Sequence, residues 1–102
     1  MNKIDLKLKE ENIQLGKYGM MKLNYLKYNK PDFFTELLFK GELMKYLFNV
    51  ENQSYKLLER IQEEYFQIHS LPKNGDFMKA YTIRQQAKDY AEEIVLKELI
   101  YN

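Results

Sequence analysis

The segment from Glu42 to Ile68 contains neither proline nor glycine, and this feature most constrains the fold. Its apolar residues recur at alternating spacings of four and three, with Ser54 as the single interruption. The repeating positions are Leu43, Leu47, Val50, Ser54, Leu57, Ile61, Tyr65 and Ile68. This spacing puts them on one face of an α-helix and is typical of a long helix packed against another helix.

A second long helix is expected after a turn at residues 69–76, HSLPKNGD. Pro72 stops the first helix, Gly75 can adopt positive φ, and Asp76 is suited to cap the next helix. That helix is predicted to run to about Tyr101 with one stripe of core residues, namely Phe77, Ala80, Ala87, Ala91 and Ile94. Its last residues, IVLKELIY, are apolar nearly all round, which predicts burial in the bundle or in a dimer contact.

The N-terminal part of the chain predicts a short extended arm followed by two shorter helices. The segment IDLKL, residues 4–8, alternates apolar and polar residues as an extended segment does. A helix after Gly16 should end before Pro31, which is suited to open the next helix, and Gly41 can close that one. We therefore expect an all-α fold: one domain over residues 1–102, with an arm at 1–15 and a bundle of about four helices at 16–102, its two C-terminal helices long.

The composition favours an ordinary cytoplasmic protein. The 102 residues carry a net charge of +1 and no cysteine, so no strong field attracts nucleic acid or a membrane, and disulfide and thiolate chemistry are excluded. The start MNKIDLKLKEEN lacks the apolar core of a signal peptide, and no apolar run reaches the roughly 20 residues of a membrane span.

A search for catalytic patterns returns none. The single histidine, His69, offers no metal-binding pair, and the four glycines form no phosphate-binding loop. The carboxylates Glu63-Glu64 and Asp89 with Glu92-Glu93 would need matching ligands from a second helix to bind a metal, so a solvated acidic face is the simpler interpretation. We expect no catalytic residue, no cofactor, no metal and no enzymatic activity.

The stretch KYGMMKLNYLKYNKP, residues 17–31, supports two interpretations. Residues 12–31 hold four lysines and no acid, so the local surface is basic. On a helix Tyr18, Tyr25 and Tyr28 share one stripe, predicted to face the core, while Lys22, Lys27 and Lys30 lie on another, solvated side. The segment is either a packing helix with solvated lysines or a contact surface for phosphate or an acidic protein.

Two longer stretches resemble the TnpV-type family of transposon-encoded proteins. They are LGKYGMMKLNYLKYNKPDFFTELLFKGELMKYL at residues 15–47 and AEEIVLKELIYN at residues 91–102. The resemblance covers residues 4–102, and its most specific part is the pattern Y-G-x-M-K-x-x-Y-L-K with the ending E-L-I-Y. The family commonly has arginine where Lys22, Lys30 and Lys88 stand, and lysine lacks the forked geometry of a guanidinium.

The resemblance implies carriage on a mobile element of Gram-positive bacteria and no transposase activity. The first functional hypothesis is an interaction protein that inhibits a host defence, most concretely an anti-CRISPR that binds a Cas9-type nuclease or its guide RNA complex. The second is a nucleic-acid-binding accessory of the element, and self-association as a homodimer is compatible with both. The predicted partner-binding residues are Lys17, Lys22, Lys27, Lys30, Asp89, Glu92 and Glu93.

Overall fold

The computed structural model describes residues 15–102, so the predicted arm at residues 4–8 lies outside the described residues. The described part consists of helices joined by short turns and contains no strand. Its helices are α1 (Lys17–Asn29), α2 (Pro31–Phe39), α3 (Leu43–Ile68) and α4 (Phe77–Val95), and α4 continues into a π-helical turn (Leu96–Ile100). The prediction of an all-α fold with two long C-terminal helices is confirmed.

The helix boundaries follow the predicted local signals. Pro31 opens α2 directly after α1 ends, and Gly75 adopts φ of 79° in the turn between the long helices. The Asp76 side chain accepts a hydrogen bond from the Lys79 backbone N–H at 3.0 Å, which satisfies one of the unpaired donors at the start of α4. Proline, glycine and aspartate therefore set these boundaries locally, before any tertiary contact is considered.

Two apolar clusters form the core, and both lie toward one end of the molecule. The first contains Leu15, Leu23, Leu26, Leu37, Leu43 and Leu47 from α1, α2 and the start of α3. The second joins α1 and α3 to the C-terminal segment through Tyr18, Val50, Val95 and Ile100. We call this end, residues 15–58 and 88–102, the body.

The remaining part, residues 59–87, is a hairpin of α3 and α4 that we call the distal hairpin. Neither apolar cluster includes any of its residues. Its buried apolar side chains are Ile61, Ala80 and Ala87, so the two helices meet here mainly over small residues. The described residues extend over 58 × 23 × 19 Å, so the molecule is long and narrow.

Candidate interaction surfaces

The structure buries a different face of α1 from the predicted one. Tyr18 is buried as expected, but Tyr25 is half-buried and Tyr28 is 76% exposed. Leu23 and Leu26 instead fill the core beside Tyr18. The prediction that the tyrosine stripe marks the core is therefore wrong beyond Tyr18, because the leucines gain more from complete burial than tyrosines whose hydroxyls need a polar partner.

Lys22 is the clearest correction among the predicted site residues. It was expected on the solvated side, yet it is only 2% exposed. Its ammonium donates hydrogen bonds to the Ile100 carbonyl at 2.9 Å and to Asn102 Oδ1 at 2.7 Å. Burial lowers the pKa of Lys22, and the charge of nearby Lys30 lowers it further. One sequence signal was available, since Lys22 lies four residues after Tyr18 and four before Leu26, on the buried face of the helix.

Lys17 is one of the predicted basic binding residues and Glu92 is one of the predicted acidic ones. The structure brings their side chains together. The Lys17 ammonium lies 3.0 Å from Glu92 Oε1, and the Tyr18 hydroxyl donates to Glu92 Oε2 at 3.3 Å. Burial and then the Glu92 carboxylate raise the pKa of Tyr18 to about 12. These two charges compensate one another, so neither contributes a full charge to an external surface.

The other four predicted residues remain at the surface. Lys27 and Lys30 are exposed on either side of the exposed Tyr28, which makes a small basic and aromatic surface at the end of α1. Asp89 and Glu93 are exposed one helical turn apart on α4, and Asp89 accepts a long hydrogen bond from the Gln85 amide at 3.5 Å. The predicted basic and acidic faces are therefore reduced to two residues each.

Glu51 has a structural role that sequence reasoning missed. Its side chain is buried against the start of α1, where Oε1 accepts a hydrogen bond from the Gly19 backbone N–H at 3.4 Å. A carboxylate is favourable there because the helix N-terminus presents unpaired N–H groups and partial positive charge. A Cβ atom on Gly19 would lie 3.2 Å from this oxygen and 2.9 Å from Leu15 Cδ2, so the glycine permits the close approach of α1 to α3.

The distal hairpin exposes large apolar side chains, and the sequence pattern predicted two of them to be core residues. Phe77 is 85% exposed and Ile68 is 78% exposed, although both were predicted to be core residues. Met78 and Tyr81 lie beside Phe77 on α4 and are exposed as well. The predictions fail here because α1 and α2 pack only on the body, so the hairpin has no third helix to cover these positions.

Residues 15–102 contain neither a candidate metal site nor a helix that could span a membrane. No group of three or more histidine, aspartate or glutamate side chains in this range is arranged to hold a metal ion. Among the described helices, none combines the length and the apolar composition that crossing a bilayer requires.

Comparison with known proteins agrees with the observed motifs. The family model for transposon-encoded protein TnpV matches residues 1–100. The chain belongs to the TnpV family. The match includes the Y-G-x-M pattern, which in this structure is the Tyr18–Gly19 turn of α1 that packs on Glu51. A search of curated proteins and a search of solved structures each returned no match.

Proposed function

We propose that this TnpV-family chain is a non-enzymatic interaction protein that binds a host protein through its distal hairpin and inhibits a defence system. The observation that carries the proposal is the group of exposed apolar side chains on that hairpin: Ile68, Phe77, Met78 and Tyr81. Aromatic residues and methionine are enriched in protein interfaces, whereas adjacent exposed apolar side chains cost solubility when nothing covers them.

The distal hairpin has four acidic and four basic side chains, so any attraction to a basic partner is local, at a pair of acidic residues. Glu59 and Glu63 form such a pair, exposed one turn apart on α3, whereas Asp89 and Glu93 have the same spacing on α4 but lie on the body. A guide-loaded nuclease of the Cas9 type holds nucleic acid in a positively charged channel. The described residues measure 23 and 19 Å along their two shorter axes. We infer that the distal hairpin enters or covers such a channel and excludes target DNA.

The direct test is cleavage of target DNA by a purified guide-loaded Cas9-type nuclease with the protein in large excess. We expect cleavage to be suppressed by the wild type and to recover with Glu59→Gln/Glu63→Gln, because this change removes the acidic pair of the hairpin without altering a buried residue. Asp89→Asn/Glu93→Gln is the matched control, since it makes a comparable charge change at two exposed carboxylates with the same spacing on the body. Cleavage that continues at full rate with the wild type in excess would overturn the proposal.

A second candidate, a nucleic-acid-binding accessory of the element, is favoured by one specific observation. Tyr28 is exposed between Lys27 and Lys30, and exposed aromatic rings among cations are the surface on which single-stranded bases stack. This function predicts binding of a single-stranded oligonucleotide that weakens steeply with salt. Lys27→Gln/Lys30→Gln should abolish that binding and leave nuclease inhibition unchanged, so the two functions are separable.

Self-association offers a third use of the same apolar surface. If two copies pair through Phe77 and Tyr81, sedimentation of the protein alone will show a dimer that Phe77→Ser/Tyr81→Ser dissociates. A monomer at concentrations that suppress cleavage leaves the surface available to a different protein, as proposed.

A further inference from the structure

A groove on the body lies beside the buried ammonium of Lys22, far from the distal hairpin. Its volume is about 490 Å³, within the range of small-molecule sites. It is formed where α1, α2, α3 and the C-terminal residues meet, and it is lined by Lys22, Leu26, Lys30, Phe33, Tyr46 and Asn102.

Lys22 contributes a buried positive charge without a compensating carboxylate among the described residues. The three ion pairs in residues 15–102 join Lys17 with Glu92, Lys40 with Glu36, and Arg60 with Glu64. Both hydrogen-bond acceptors of Lys22 are neutral, and its ammonium has a third N–H to donate. An ion held in a buried site without an opposite charge is unfavourable, and an anion in the groove would offset this cost.

Lys30 adds a second positive charge to the wall of the same groove. It is exposed, and it is close enough to Lys22 to disfavour the charged form of that side chain. Two cations that repel one another across a groove are both stabilised by an anion placed between them.

The rest of the wall is apolar and partly aromatic. The rings of Phe33 and Tyr46 meet edge to face with centroids 5.3 Å apart, and Phe33 is 37% exposed. Leu26 continues this wall toward Lys22. A planar apolar group can contact the rings while an anionic group attached to it reaches the two lysines.

We propose that this groove binds a small anion, a carboxylate or a phosphate, that carries a planar apolar group. Lys22 and Lys30 hold the anionic group, and Phe33 and Tyr46 contact the planar group. The site is separate from the interaction surface of the proposed function and does not depend on it.

Two pairs of probes test the proposal and distinguish the sources of negative charge. AMP is compared with adenosine, and benzoate is compared with benzamide, by titration of the ¹⁵N-labelled protein in NMR. We expect at least one anion to shift the resonances of residues around Lys22 and Phe33, while its neutral counterpart does not. A response to AMP alone identifies the phosphate class, and a response to benzoate alone identifies the carboxylate class.

Substitutions then test the assigned roles. Lys22→Met and Lys30→Gln should each weaken binding of the anion, by about tenfold for the buried lysine and less for the exposed one. Lys56→Gln is the matched control, because Lys56 is exposed on α3 and lies outside the groove, and it should leave the affinity unchanged. If Lys22→Met does not fold, Lys30→Gln and Phe33→Ala still decide the outcome.

Three results would overturn the proposal. They are no response to either anion, equal binding of a neutral counterpart, and a loss of affinity in Lys56→Gln as large as that in Lys30→Gln.

Discussion

The body and the distal hairpin contain segments of the same two long helices but differ in what those helices contact. In the body, α3 and the end of α4 pack against α1 and α2 and bury leucine, valine and isoleucine side chains. In the distal hairpin, α3 and α4 have only one another, and they meet over Ile61, Ala80 and Ala87. The body therefore supplies the stability of the fold, and the hairpin has apolar surface left for a partner.

The largest expected effect comes from truncating a core residue of the body. Leu26→Ala should lower the free energy of unfolding by about 2–5 kcal/mol, because Leu26 is completely buried in the first cluster. Phe77→Ala, which removes a larger side chain from the distal hairpin, should change it by less than about 0.5 kcal/mol. Denaturant unfolding of both variants measures the difference, and equal costs would contradict the division into two regions.

Substitution at the contact between α1 and Glu51 should have the next largest effect on the free energy of unfolding. Gly19→Val places methyl groups where even a Cβ atom would be too close to Glu51 and Leu15, so we expect a loss of about 2 kcal/mol. Asn24→Val introduces the same β-branched side chain on the exposed face of the same helix and should change the free energy of unfolding by less than about 0.5 kcal/mol, because asparagine and valine have similar helix propensities. If thermal unfolding shows similar losses for the two variants, the close contact of α1 with Glu51 and Leu15 does not require glycine at position 19.

Alkaline pH should destabilise the body through Tyr18. The folded pKa is about 12 and the ordinary value is 10.0, so the folded state retains the proton longer than the unfolded state. This contribution is fully present below pH 10 and is lost as the pH rises toward 12, by about 3 kcal/mol in total.

The ionisation of Lys22 changes stability in the opposite direction, because a lowered lysine pKa makes stability rise as the pH approaches 10.5.

Comparison of the wild type with Tyr18→Phe between pH 9 and 11 isolates the tyrosine contribution. The variant should lose less stability over this interval, and parallel curves would show that Tyr18 ionises normally in the folded protein.

The smallest expected effect is at the Lys17–Glu92 ion pair. The Lys17 side chain is about half exposed, and exposed pairs contribute about 0–1 kcal/mol. Lys17→Met should therefore lower the free energy of unfolding by about 0.5 kcal/mol at low salt and by less at high salt. A loss above about 2 kcal/mol would mean that this contact, and not the apolar clusters, holds the C-terminal part of α4 to α1.

The sequence predicts the helices better than it predicts their environment. Pro31, Gly75 and Asp76 act on the backbone next to them, so the boundaries that depend on them can be predicted from the residues alone. Burial depends on which elements pack where. No local pattern indicates that α1 covers the body and leaves Phe77 and Ile68 exposed.

The predicted binding residues show the same limit. Lys22 is predicted on the solvated side because it lies off the tyrosine stripe of α1, whereas its burial depends on the Ile100 carbonyl, 78 residues later in the chain. The Lys17–Glu92 pair joins residues 75 positions apart, so charge patterns within a single helix could not reveal it.

The most direct test of the central claim is a cleavage assay with the double variant Phe77→Ser/Tyr81→Ser. The protein is added in excess to a guide-loaded Cas9-type nuclease, beside the wild type and Tyr28→Ser, after thermal unfolding has shown that all three are folded. We expect the wild type and Tyr28→Ser to suppress cleavage and the distal variant to have lost this effect. Suppression by the distal variant that equals that of the wild type would show that the distal hairpin is not the binding surface.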